Sequence, residues 1–355
     1  MNLRAAIGEH PGLIARLGNL PVDPLADTPV LFAKIKLLWQ CNLSCVFCRR
    51  PRARAPMPAE RALSLLTSLR ARGLRKVHFS GGEVFLHPEI ISILSSSAAL
   101  GLQVNLTTNG TLIGREEARA IVDAGAHSVS VSLDSHDPKR HDELRGHKGA
   151  FKKTSKAIEL LLRYRKKDPV LRVNTVVTRK NFPDLEAMRA FIDSLGGRVE
   201  WKLIPVDSSN RSLLLDTAQA RALIDVAGVW TKHEAPSARA AAPTPRDITR
   251  GRYSGGYYGE HPCYMPWLHL FVDPAGFAYP CCMTRGKTPA LGNLADAPLD
   301  DLLGGERMKR VRMSMAAGNA FAVCRNCDDF IEENALIESE INSLKGGIQH
   351  EHTRR

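Results

Sequence analysis

Three cysteines stand at C-x3-C-x2-C in the stretch Cys41-Asn42-Leu43-Ser44-Cys45-Val46-Phe47-Cys48. One tight loop can bring that spacing onto one face of an iron–sulfur cube, whose irons are normally held by cysteine thiolates, often four. With no fourth cysteine beside them, one iron stays open to another ligand. The competing reading is a set of buried or zinc-binding thiols. The other five cysteines, Cys263, Cys281, Cys282, Cys324 and Cys327, lie far downstream. A C-x2-C pair with two distant cysteines suits a four-thiolate site, and spacing by itself does not separate zinc from iron–sulfur.

Composition narrows the setting. An apolar fraction of 44% is ordinary for a soluble globular chain. There is no apolar run long enough to span a bilayer and no signal-like N-terminus, so no membrane partner is expected. Eight cysteines in such a chain argue for metal or redox use in a reducing cytoplasm, not for disulfides. The net charge of +12 is diffuse. Its densest piece is Arg49, Arg50, Arg52 and Arg54, directly after the cysteine triplet. That piece reads as a solvated loop, as a docking patch for an acidic electron donor of the flavodoxin or ferredoxin type, or as a site for an acidic substrate. No RNA-binding module is visible, and nucleic acid is not an expected partner.

The elements that must position these residues follow a strand–helix rhythm. Residues 1–29 read as an irregular lead-in. A largely apolar strand over Val30–Trp39 runs into the triplet, and Pro58 opens a helix to Arg72, stopped by Gly73. Further strands are expected at Lys76–Phe79, Gln103–Thr107, Ser128–Leu133, Leu171–Val177 and Arg198–Pro205. Helices between them are expected at Pro88–Ala99, Arg115–Ala124, Phe151–Lys166 and Asp184–Leu195. This alternation implies βαβ units and a parallel sheet, with too few strands for a closed eight-stranded barrel. A helix over Thr217–Thr231 precedes an Ala/Pro/Arg-rich linker or substrate-covering loop at Glu234–Arg252. The cysteine-rich part then differs in composition, and the tail from Gly346 reads as disordered. The divisions are a lead-in (1–29), a βα domain (30–232), a linker (233–260), a cysteine-rich domain (261–345) and a tail (346–355).

Three strand ends carry further candidates. Ser80-Gly81-Gly82-Glu83 ends the second strand, where paired glycines let backbone approach a ligand closely; an ordinary turn is the alternative. Thr107-Thr108-Asn109-Gly110 ends the third. Ser130-Val131-Ser132-Leu133-Asp134 ends the fourth, followed by His141-Asp142 and Arg145. A guanidinium can clasp a carboxylate with two parallel hydrogen bonds, whereas a surface arginine would do nothing of the kind.

The order of these motifs, with aromatic Phe47 just before the last cysteine of the triplet, resembles the radical SAM superfamily. The resemblance implies a partial (β/α)6 barrel, an α/β fold open on one side, with chemistry at the C-terminal strand ends. It implies that a [4Fe–4S] cluster on Cys41, Cys45 and Cys48 binds S-adenosylmethionine (SAM) through its open iron. Gly81, Gly82 and Glu83 would then engage the SAM amino group, and Asn109 would line the pocket floor. Ser132 and Arg145 would meet the ribose or carboxylate, with Asn174 and Val176 flanking the adenine. Downstream, Cys263-Tyr264-Met265-Pro266-Trp267, a hairpin, Cys281, Gly292-Asn293, a helix and Cys324–Cys327 resemble a SPASM/twitch extension. That implies one auxiliary [4Fe–4S] cluster on Cys263, Cys281, Cys324 and Cys327, with too few cysteines for the second auxiliary cluster of a full SPASM region. Cys282 is left over, as a buried neighbour, an alternative ligand or a hydrogen-atom donor.

The expected activity is that of a radical SAM oxidoreductase. It would form a 5′-deoxyadenosyl radical, remove a substrate hydrogen and pass an electron to the auxiliary cluster. The expected substrate is a small polar metabolite of the sugar or aminocyclitol type. The first alternative is maturation of a ribosomal peptide by crosslinking, epimerisation or residue oxidation. A non-catalytic iron–sulfur carrier is the other, although a carrier has no use for Gly81, Gly82 and Glu83. No catalytic side chain beyond these is identified.

Overall fold

The strand Phe32–Leu38 (β1) alternates Ala33, Ile35 and Leu37, which are buried, with Lys34 and Lys36, which are only partly so. Side chains of a strand point alternately to its two faces, so one face is apolar and the other cationic. The same alternation recurs in Lys76–Gly81 (β2), Gln103–Thr108 (β3), Ser128–Ser132 (β4) and Val170–Val177 (β5). Val77, Phe79, Val104, Leu106, Val129, Val131, Leu171 and Val173 join one core with the flanking helices. Those helices are Ala59–Ala71, Ile90–Ala99, Arg115–Asp123, Ala150–Tyr164 and Leu185–Ser194, each within a few residues of its expected position. The opposite, polar face looks into a cavity. The computed structural model describes residues 3–10, 12–18, 28–49, 55–196, 199–226, 243–319 and 321–352.

With Val199–Pro205 (β6), six parallel strands run in the order β6-β5-β4-β3-β2-β1. The partial barrel expected from the motif order is the observed architecture. Its free edge at β1 is not left open. His269–Val272 (β7), from the cysteine-rich segment, pairs parallel with β1, matching Phe32 to His269 and Ile35 to Val272. Phe277–Tyr279 (β8) and Gly292–Asn293 (β9) follow antiparallel, so one nine-stranded sheet carries both cysteine sets. The expected hairpin exists, and it extends the barrel sheet. Pairing removes an exposed row of backbone donors and acceptors at the β1 edge.

Two expectations need correction, and one element was not expected. The lead-in is not irregular throughout: Leu3–Gly8 (α1) and Leu13–Gly18 (α2) are helices. Leu3, Ala6, Ile7, Leu13 and Leu17 pack with Trp267, Ile337 and Ile341, and helices of this length are stable only through such contacts. The tail from Gly346 continues as helix, because Ile331–His352 is a single element (α3 here, the longest in the chain). A short helix at Pro138–Arg145 (α4), capped by Asp137 through the N–H of Lys139, carries Arg145 in its last turn. The helix after β6 is described over Thr217–Val226, and residues 227–242 lie outside the described residues, including the first part of the expected linker. Its last part is folded: Ile248 is buried against Leu215 and Leu223. Among the described residues no helix is long and apolar enough to cross a membrane.

Leu13 is fully buried between the N-terminal helices and the C-terminal part of the chain. We predict that Leu13→Ala lowers unfolding free energy by about 2–5 kcal/mol in chemical denaturation, the usual range for a truncated buried leucine.

Candidate active site at the C-terminal strand ends

The cysteine loop leaves β1 and is pinned from two sides. The N–H groups of Ser44 and Val46 donate to the carbonyls of Arg145 and Leu144 at the end of α4. The cluster-facing sulfurs meet donors: Cys41 Sγ accepts from Leu43 N–H at 3.5 Å and from the Asn109 amide at 3.8 Å. Cys45 Sγ accepts from Arg145 Nη1 at 3.8 Å. Burial pushes the Cys45 thiol up, and Arg145 opposes that by favouring the thiolate. All eight cysteines are free, and Cys48 is exposed. Among the described residues no three His, Cys, Asp or Glu close in as a single metal ion requires. Donors aimed at the sulfurs of Cys41 and Cys45 favour the thiolate, the form that ligates a metal.

The glycine pair ends β2 against the backbone of that loop. Gly82 N–H donates to the Leu38 carbonyl at 2.8 Å, and Glu83 N–H to the Gln40 carbonyl at 2.9 Å. A Cβ on Gly82 would lie 1.8 Å from the Gln40 oxygen, and Gly81 has φ +151° with its would-be Cβ 2.3 Å from the Leu38 oxygen. Only glycine fits either position. Glu83 is fully buried, and its carboxylate accepts from Phe85 N–H, Thr108 Oγ1 and Asn109 N–H at 3.1, 2.7 and 2.7 Å. Burial raises its pKa while these donors oppose the rise. The acid expected to meet SAM thus spends both oxygens tying β2 to the end of β3. Asn109 carries the tie onward, donating to Cys41 Sγ and to Asn42 Oδ1 at 2.9 Å.

Arg145 is 6% exposed, which excludes the surface reading. Its fork closes on Asp134, with Nε–Oδ2 at 2.7 Å and Nη2–Oδ1 at 2.9 Å. Its guanidinium also lies 5.3 Å from the Phe47 ring centroid. The carboxylate partner of this arginine is therefore the one its own fold delivers, and Nη1 is turned to the sulfur of Cys45. Asp134 Oδ1 accepts in addition from Val176 N–H at 2.9 Å, and Asp134 N–H donates to His141 Nδ1 at 3.1 Å. The ends of β4 and β5 and helix α4 are joined by this buried network.

Gly81, Ser132, Arg145, Asn174 and Val176 line one rim of a cavity of 2410 Å³, which reaches Met283, Asp328 and Asp329 in the cysteine-rich segment. Cys263, Cys324 and Cys327 there all lie within electrostatic reach of Cys281. Burial pushes each thiol up, Cys324 to about 11, and the charge of Cys281 adds to the rise at Cys263, Cys324 and Cys327. Clustered buried thiols of this kind need a cationic centre to exist as thiolates, which suits iron. Cys282 is not oriented with them: its Sγ donates to Asp329 Oδ2 at 3.2 Å, and its thiol is pushed up to about 12 chiefly by burial.

Comparison with known families agrees with this division. The radical SAM superfamily matches residues 39–192, and the SPASM iron–sulfur cluster-binding domain matches residues 263–328. The chain belongs to the radical SAM superfamily. It carries a C-terminal SPASM domain, and its cofactors are [4Fe–4S] clusters and SAM. It is 30% identical to the AdoMet-dependent heme synthase of Oleidesulfovibrio alaskensis over 179 residues, 49% of this chain and 45% of that protein. The match thus spans less than half the length of that relative. The PqqA peptide cyclase of Streptomyces rochei is 28% identical over 307 residues, 79% of this chain and 75% of that protein. The crystal structure of Streptococcus suis SuiB bound to precursor peptide SuiA shares the fold, with a TM-score of 0.63 at 17% identity, over 92% of this chain and 75% of that one.

Sequence reasoning missed the inner wall of the radical SAM barrel. Lys34, Lys36, Lys76, His78, Arg172 and Lys202 all line the cavity. The signal was present as period-two alternation: a parallel strand covered on both faces should be apolar throughout, and these strands are not.

Two outcomes test the site. Glu83→Gln puts an amide donor against donors, so we predict a loss of about 1–3 kcal/mol in unfolding free energy together with poorer iron retention after reconstitution. Burial, reinforced by Arg145, lowers His141 to about 3. Between the ordinary value near 6.5 and that value, the unfolded chain binds a proton that the folded chain does not. Stability from this group therefore falls as pH drops through that window, with a slope approaching about 1.4 kcal/mol per pH unit. Denaturation of His141→Gln at pH 7, 6 and 5 should show a shallower acid loss by that slope.

Proposed function

We propose that this radical SAM protein modifies a peptide. The observation that carries the reading is the cavity that runs from Gly81 and Ser132 to Met283 and Asp328. Its volume of 2410 Å³ exceeds the roughly 300–1,000 Å³ typical of small-molecule sites. That size favours a chain segment over the sugar or aminocyclitol substrate expected from the motifs. A relative that matches over most of its length is a peptide cyclase, and the SuiB fold was captured with a precursor peptide.

In this reading Cys41, Cys45 and Cys48 hold the first cluster, and Cys263, Cys281, Cys324 and Cys327 the auxiliary one. When bound, these groups and SAM supply a reductively generated 5′-deoxyadenosyl radical and an acceptor for one electron. The chain's own residues position. Gly81 and Gly82 give SAM a backbone edge beside the cysteine loop, and Ser132 at the end of β4, with Asn174 level with it on β5, faces it across the cavity. Glu83 and Asn109 hold that edge against Cys41. Arg145 keeps a positive charge at Cys45 and beneath Phe47. An acidic flavodoxin- or ferredoxin-type donor would approach at exposed Cys48. Arg49 there is engaged by the Ser209 carbonyl and Asn210, and Arg50, Arg52 and Arg54 lie outside the described residues.

Anaerobically reconstituted protein with reductant and SAM should release more 5′-deoxyadenosine when given a protease-sensitive extract fraction of its source cells. A rise confined to the small-molecule fraction would return the substrate to the metabolite class. Cys41→Ala should abolish SAM cleavage, whereas the Cys324→Ala, Cys327→Ala double variant should still cleave SAM and fail to give oxidised product.

A further inference from the structure

The inner wall of the barrel holds more positive charge than its own acids pair. Arg172 is matched by Glu200, and burial together with the nearby lysines keeps His78 neutral, with Nε2 2.8 Å from Thr107 Oγ1. Lys34, Lys36, Lys76 and Lys202 remain. Among the described residues none of the four has an ion pair or a hydrogen bond, and Lys36 instead lies 4.8 Å from the Trp39 ring centroid. Asp328, Asp329 and Glu333 line the facing wall, and their pull on these amines acts across the cavity without forming a pair. Burial, then Lys34 and Arg285, brings Lys36 down to about 8, the mark of a crowded and poorly compensated cation.

Buried polar atoms beside the amines are also unsatisfied. Ser80 and Asn105 are 9% and 4% exposed, both line the cavity, and neither Ser80 Oγ nor Asn105 Oδ1 has a hydrogen-bond partner. Ser80 is level with Lys36 across the β1–β2 register, and Lys202 is level with Asn174 across β5–β6. Two of the amines therefore sit at the height of the SAM-side rim. Lys34, Lys36 and Lys76 are half-buried, and Lys202 is exposed at the cavity's edge. Charges drawn out of water are normally paired and buried polar groups normally bonded, so the half-buried amines lack an anion and Ser80 and Asn105 a polar partner.

We propose that this wall is a carboxylate receptor: the substrate segment that enters the barrel carries an aspartate or glutamate, held by Lys36, Lys76 and Lys202, with Ser80 and Asn105 bonding the adjoining backbone. The inference rests on the peptide reading and names its chemistry. The carboxylate would anchor one side chain and so fix which neighbouring carbon is offered to the radical.

The test uses SAM-loaded, anaerobically reconstituted holoenzyme and two probes. One is a displayed library of random hexapeptides, selected by binding and then sequenced. The other is glutarate, followed by calorimetry. Selected peptides should be enriched in Asp and Glu, and the Lys36→Gln, Lys202→Gln variant should lose the enrichment and weaken glutarate binding by about tenfold or more. Lys202→Arg should retain both, and unchanged iron content and visible absorbance show that the variants are folded. If glutarate binds with this lysine dependence while no peptide is selected, the receptor stands and the peptide reading falls. If peptides are selected without acidic enrichment, the peptide reading stands and the receptor is overturned. Binding indifferent to the lysines, or no binding of either probe, also overturns it and assigns the amines to balancing cluster charge.

Discussion

Everything at this site depends on how closely two backbones approach. The end of β2 lies against the segment Leu38–Gln40 so tightly that a methyl group on Gly82 would overlap the Gln40 carbonyl. Two hydrogen bonds, from Gly82 and Glu83 to Leu38 and Gln40, hold that contact. The cysteine loop begins one residue later. Its position is therefore set by sheet geometry before any cofactor binds, and Glu83 extends the same rigidity to β3 through Thr108 and Asn109.

The strands serve two environments at once. Their apolar faces form the main core with the surrounding helices, and their polar faces wall the cavity. A parallel sheet normally buries both faces under helices, which would forbid Lys34, Lys36 and Lys76. Here the inner face is hollow, so lysines are tolerated and become a chemical resource. The sheet also links the two cysteine sets. β7 pairs with β1, so the SPASM segment reaches the barrel through backbone hydrogen bonds as well as through side-chain packing. The N-terminal helices then cover the far side of that segment.

Much of this was legible in the chain. The strand–helix rhythm placed six strands within a few residues, because amphipathic periodicity is a local property. The C-x3-C-x2-C spacing and the Gly81-Gly82-Glu83 turn were legible for the same reason. Helices α1 and α2 were not, since six-residue segments have no stability of their own and exist only because Trp267, Ile337 and Ile341 wait for them. The size of the cavity was not legible either, because it is set by how far the six strands curl.

The sequence by itself determined the cofactors: ligands within one loop, and motifs in a set order at successive strand ends, need only chain connectivity to be recognised. The tertiary structure decided what each charged group does. Arg145 and Glu83 each looked ready to grip SAM, yet Asp134 takes the guanidinium, and Thr108 and Asn109 take the carboxylate. Lys36, unremarked as a residue in a strand, faces the cavity half-buried with no ion-pair partner of its own among the described residues. A buried charge is defined by whatever the fold brings within a few ångströms of it. For Arg145 and Glu83 that neighbour comes from another element of the fold.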